Sequence, residues 1–265
     1  MQTSASIQAA AAGRAPAPAA GRRTIDAPTR MFHWLFALCF LGAYVTADGE
    51  SWRALHVTLG YTMVGLLAAR LLYGFFGPRQ SGLGVLWRKL AGWPAWLKSL
   101  RNARSPQAIN WRQGQNLLMA GAVVALLVTV VPLTLSGYAT YDSWGGEWLE
   151  EVHEFFGQTF LTLVLAHLAL VLGLSLLRRK NQALPMLTGR VAESGPDLVK
   201  RNRPLLAAAL LCAVLGFAAW QSQQFPNGLW PAGGNAAAEE GPRADREHDR
   251  DQAKALKQSA RKAPG

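Results

Sequence analysis

The sequence predicts an all-α membrane protein, a four-helix transmembrane bundle joined by a fifth transmembrane helix. Three observations predict it. Five long apolar segments punctuate the 265 residues, at 31–47, 56–76, 117–139, 152–177 and 205–220. The segments between them alternate between basic and acidic. Ten Trp and ten Phe fit helices that end at membrane interfaces.

A bilayer core of about 30 Å takes roughly 20 helical residues, and about 17 suffice at the short end. Only a helix satisfies its own backbone hydrogen bonds in lipid, so these segments are helices rather than isolated strands. The fifth, Ala-rich and short, is the weakest of them.

Flanking charge sets an expected orientation. Arg14, Arg22, Arg23 and Arg30 precede the first span, against Asp26. Arg79, Arg88, Lys89, Lys98, Arg101, Arg104 and Arg112 lie between spans two and three with no acid among them. Arg178, Arg179, Lys180, Arg190, Lys200, Arg201 and Arg203 follow span four, against Glu193 and Asp197. The alternate loops carry Asp48 and Glu50, then Asp142, Glu147, Glu150 and Glu151. The positive-inside rule therefore puts the N-terminus in the cytoplasm and the C-terminus outside. The same asymmetry accounts for the net charge of +11. A nucleic-acid binder would gather that charge on a folded polar domain, which the chain lacks, so no nucleic-acid partner is expected.

Residues 1–24, rich in Ala and Pro and without a contiguous apolar core, read as a disordered cytoplasmic tail rather than a secretory signal. Residues 25–192 form the transmembrane domain, 204–220 the additional helix, and 221–265 a mostly disordered periplasmic tail in which His248 is solvated. The basic stretch WRKLAGWPAWLKSL is either an amphipathic helix on the inner leaflet or an ordinary loop with interface tryptophans. Cys39 and Cys212, both in apolar blocks, imply no disulfide framework, and no CxxCH or CxxC occurs.

Four of the five histidines sit in or at the edge of spans: His33 in the first, His56 at the start of the second, His153 and His167 in the fourth. One alone could be a satisfied core histidine. Four on three helices point to a cofactor, because ionisable groups in lipid are costly and face the bundle interior. His153 and His167 lie about 21 Å apart along one helix and differ by only about 40° in azimuth. One helix can thus serve two stacked sites. Topology matches His56 with His153 near the outer face, and His33 with His167 toward the inner one. The inner match is imperfect: by helical rise His33 lies about 4–5 Å inside Arg30, and His167 about 16 Å inside Arg178. Tilt, or projection of the fourth helix beyond the lipid, has to absorb the difference.

Zinc and di-metal sites gather three or four ligands in one place, usually with carboxylate or thiolate. Two separated imidazole pairs instead suit two b haems, each with both axial positions filled for electron transfer. Gly42, Gly60, Gly65, Gly137 and Gly157 either admit a flat macrocycle or serve ordinary helix packing. Arg70, 14 residues after His56, either pairs with a haem propionate or snorkels to the interface.

Several segments resemble the bacterial cytochrome b561 and Ni,Fe-hydrogenase-type cytochrome b subunits. They are IDAPTRMFHW, LHVTLGYTMVGLLAARLLYGFFGPR, HEFFGQTFLTLVLAH and PMLTGR, within residues 25–192. The resemblance implies a dihaem bundle in a bacterial inner membrane, serving respiratory electron transport. It implies electron exchange between the quinone pool and a redox partner, such as a c-type cytochrome or a hydrogenase or other oxidoreductase subunit. It carries the haem-ligand role to His33, His56, His153 and His167, and the family's basic positions to Arg30 and Arg70. INWRQGQN departs from the family's usual turn before the third helix, and the fifth span and both tails lie outside the common core. Two other function classes stand beside this one. A non-redox membrane anchor or assembly subunit would carry no haem. A transporter would need a continuous relay of histidines, which these do not form.

Overall fold

The computed structural model describes residues 21–79, 81–193, 195–225 and 228–230. Helix α1 spans Ala27–Val45, and α2 spans Arg53–Phe76 after one 3-10 turn. Two short helices follow, α3 (Leu83–Leu90) and α4 (Trp93–Asn102). The two longest are α5 (Trp111–Tyr141) and α6 (Trp148–Arg178). A short α7 (Leu184–Thr188) precedes α8 (Pro204–Gln224).

Local chemistry sets these ends. The Asp26 side chain accepts a hydrogen bond from the Thr29 amide at 3.1 Å, and Pro28 occupies an early position where no donor is needed. Asn110 caps α5 through the Gln113 amide in the same way. Arg179, in the left-handed region at φ 50°, closes α6.

Four helical segments are long and apolar enough to cross a membrane: 50–76, Trp111–Tyr141, Trp148–Arg178 and Pro204–Gln224. The protein is therefore a multi-pass membrane protein. The fifth segment, weakest in the sequence, becomes a full 21-residue helix. Helix α1, at 19 residues with Arg30 and His33 in its first two turns, falls outside that group of four. The amphipathic stretch divides into α3 and α4, with the break at Ala91 and Gly92.

Packing pairs α5 with α6 most extensively, then α1 with α2, and α8 lies chiefly on α1. Cys39, Phe40, Met63, Leu66, Leu67, Val130, Leu133 and Phe160 form the buried core where α1, α2, α5 and α6 meet. Leu210 and Val214 of α8 pack against it from outside. Outward-facing Leu38, Leu135, Leu172 and Leu176 are exposed, as suits side chains in lipid.

The basic end of the bundle is knitted together. Arg22–Arg23 (β1) pairs antiparallel with Arg190–Val191 (β2), so these two residues of the expected N-terminal tail are in a strand. The Ala27 amide donates to the Asn202 carbonyl at 3.1 Å, joining α1 to the start of α8. Arg178 donates twice to Gln115 Oε1, at 2.8 and 2.6 Å, tying the end of α6 to the start of α5. At the other end, Trp230 meets the Trp52 ring edge-on at 6.0 Å, and Leu229 is buried, so this part of the expected C-terminal tail is packed. Residues 1–20 and 231–265, with His248, lie outside the described residues.

Candidate functional site

Helix α2 opens at the acidic end with His56 in its first turn, and α6 opens beside it with His153 in its second. The structure brings these rings together, with centroids 6.1 Å apart and planes at 86°. Each ring is anchored by Nδ1. His56 Nδ1 stands 2.8 Å from the Ala43 carbonyl oxygen of α1, and His153 Nδ1 stands 3.0 Å from the Leu133 carbonyl oxygen of α5. A carbonyl only accepts, so Nδ1 carries the proton on both rings, which leaves Nε2 as the bare lone pair. Such second contacts are how metal-binding imidazoles have their tautomer and orientation fixed.

His33 of α1 and His167 of α6 form the second meeting point, lying within electrostatic range of each other toward the basic end. Their Nδ1 atoms are buried and have no hydrogen-bond partner. The two helices that carry them differ in length. Helix α6, at 31 residues, is about 46 Å long, well beyond a 30 Å hydrocarbon core, whereas α1 is about 28 Å. His167 stands 11 residues before the end of that helix and still lies within electrostatic range of His33.

Between the two levels lies an aromatic cluster that sequence reasoning missed. Phe160 is 2 % exposed, and its ring meets Phe40 at 4.7 Å and Phe36 at 6.3 Å. Its signal was present: Phe160 stands midway between His153 and His167 on the same helix.

The glycines separate by role. A Cβ at Gly137 would stand 2.7 Å from the His153 ring, so only glycine lets that ring approach α5. Gly42 packs against Leu59 as an ordinary helix contact. Gly60, one turn after His56, and Gly65 have nothing within 4 Å of a Cβ position, and Gly157, one turn after His153, has only Leu133 at 4.0 Å. Helix α2, which carries His56, thus has open space beside Gly60 and Gly65.

Of the two arginines, Arg30 donates to the Leu187 carbonyl at 2.8 Å and so fastens α7 to α1. Trp34 assists through Nε1 to the Met186 carbonyl at 3.0 Å. Arg70 is half-buried, with Nη1 unpartnered. Asp26, entered at the sequence level only as a loop charge, is wholly buried at the foot of α1. Its carboxylate accepts from Tyr73 Oη at 2.6 Å and Ser81 Oγ at 2.7 Å besides the Thr29 amide, joining α1, α2 and the loop into α3. Burial raises its pKa, but these hydrogen bonds together outweigh that and hold the carboxyl below its ordinary value.

Among the described residues no three or more His, Cys, Asp or Glu gather closely enough to hold a metal ion by themselves. Fold and site together define a multi-pass helical membrane protein with imidazoles paired between its helices. The family model of prokaryotic cytochrome b561 matches residues 24–189, and the chain belongs to that family. It is accordingly a membrane b-type cytochrome of electron transfer, and its family implies that it binds haem b. No match was found among curated proteins or among solved structures.

Proposed function

We propose that this protein is a bis-histidine dihaem cytochrome b that carries electrons across the membrane between the quinone pool and a partner redox protein. His56 and His153 hold the outer haem, and His33 and His167 the inner one. The N-terminus faces the cytoplasm and the C-terminus the periplasm, on the charge asymmetry of the loops.

The facing of His56 and His153 carries the reading. A metal–imidazole bond is about 2 Å, and the ring centroid lies about 1 Å behind the nitrogen, so two imidazoles on one ion have centroids roughly 6 Å apart. The separation here is 6.1 Å, with both Nδ1 atoms turned to carbonyls and both Nε2 atoms left bare. Open space beside Gly60, one turn after His56, suits a flat group at that level. At the other level, His33 and His167 are near each other and commit neither Nδ1 to a neighbour.

Haem b, when bound, supplies a one-electron couple whose potential the protein tunes. The chain's own residues do the rest. The Ala43 and Leu133 carbonyls keep the outer imidazoles in the ligating tautomer. Phe36, Phe40 and Phe160 fill the space between levels and exclude water. Arg70, with Nη1 unpartnered, offers a cation to a propionate at the inner level, and Arg30 holds α7 against the helix that carries His33.

A reduced-minus-oxidised spectrum with a haem count tests this reading. Two b haems per chain are expected, and fully folded protein without haem sinks it, in favour of a non-redox anchor. His153→Ala and His167→Ala should each lose a different haem; loss of the same one refutes the pairing.

A further inference from the structure

We propose that the outward face of α4 binds an anionic phospholipid, its phosphate between Lys98 and Arg101 and its acyl chains along Trp93, Leu97 and Leu100. Helix α4 has two unlike faces. The inner one is fixed to the start of α5: Trp96 packs on Gly114, where a Cβ would meet its indole at 2.7 Å, and Gln113 Nε2 donates to the Gly92 carbonyl at 2.9 Å. The outer one is unpartnered among the described residues. Trp93, Leu97 and Leu100, at helical spacings of four and three, form a single stripe that is 59 %, 37 % and 38 % exposed.

Lys98 and Arg101 border that stripe, and with Trp93, Pro94, Leu97 and Asn102 they line an open cavity of about 350 Å³. An apolar floor with two cations at its rim matches an acyl chain below a phosphate. Both long cationic stems can lie along the apolar surface while their heads reach the headgroup.

Position and charge name the occupant. Helix α2, which precedes α3 and α4 in the chain, ends in Phe75 and Phe76 at 73 % and 86 % exposure, apolar side chains suited to lipid at this basic end. From Arg79 to Arg112 the chain holds seven cations and no acid, which opposes a cationic partner and favours an anionic surface.

The test uses the full-length, haem-loaded protein in phosphatidylcholine nanodiscs carrying trace spin-labelled phosphatidylglycerol or phosphatidylcholine. The motionally restricted fraction of each probe gives their relative association. Each cation near an anionic surface is worth about fivefold in association. With two cations at the site, the native protein should therefore prefer phosphatidylglycerol by roughly twenty-five-fold. Lys98→Gln with Arg101→Gln should remove most of that preference with the haem spectrum unchanged. Arg88→Gln with Lys89→Gln on α3 removes as much charge and should reduce the ratio less. Equal losses in the two double variants, or no preference in the native protein, overturn the proposal. So does shielding of Lys98 from an amine-reactive reagent in native membranes but not in anionic nanodiscs, which assigns the face to a protein.

Discussion

His153 donates from Nδ1 to the carbonyl oxygen of Leu133 across 3.0 Å, and this contact fixes which of its nitrogens is left free. It joins α6 to the stretch of α5 just after Pro132, a residue that cannot donate the usual helical hydrogen bond. His56 is held alike by Ala43 of α1, so four helices take part in aiming one pair of rings.

The close approach of α5 to His153 predicts the effect of filling Gly137. A Cβ there would stand 2.7 Å from the ring, so Gly137→Ala must displace the imidazole or the helix, at about 1–3 kcal/mol for overpacking. Occupancy of one haem should fall at least about twofold while the other is kept, as read by redox titration of the haem bands. Gly121→Ala, where nothing lies within 4 Å, should leave both haems and their potentials unchanged.

The pairing predicts a pattern among the histidine variants. His56→Ala and His153→Ala should lose the same haem, and His33→Ala and His167→Ala the other. Spectra of the four purified variants decide it; an outer-pair variant that matches an inner-pair variant would falsify the assignment.

Asp26 predicts a pH dependence with a definite sign. Its carboxyl is held below the ordinary value of 3.8, so the unfolded state binds the proton more readily than the folded one. The stability it contributes is present above that value and is lost as pH falls through the lowered one. Thermal unfolding in detergent should thus give a midpoint that drops progressively as pH falls below about 5 in the native protein. Asp26→Asn should flatten that dependence. It should also lower the midpoint at neutral pH, because the buried hydroxyls of Tyr73 and Ser81 lose charged acceptors, each worth about 1–3 kcal/mol.

Phe160 predicts a purely packing effect. Phe160→Ala empties a site bordered by Phe36 and Phe40 and should destabilise the bundle by about 3–5 kcal/mol. Since Phe160 offers no ligand atom, both haems should remain at low temperature, and only the unfolding midpoint should move.

The sequence alone determined the membrane class, the main helices and the family. Each follows from local chemistry: runs of apolar residues long enough for a bilayer, the absence of acids between Arg79 and Arg112, and long segments such as HEFFGQTFLTLVLAH. It also put His153 and His167 on one helix face, because helical rise and twist are fixed per residue. The tertiary structure decided what depends on neighbours distant along the chain. Backbone carbonyls have no sequence signature, so the anchoring of His56 by Ala43 and of His153 by Leu133 was invisible beforehand. The five intramembrane glycines were alike as letters, and only packing separated Gly137, pressed on a histidine, from Gly60, beside open space. Asp26 stands 47 residues from Tyr73 and 55 from Ser81, and only the folded chain turns it from a loop charge into the buried tie between α1 and α2.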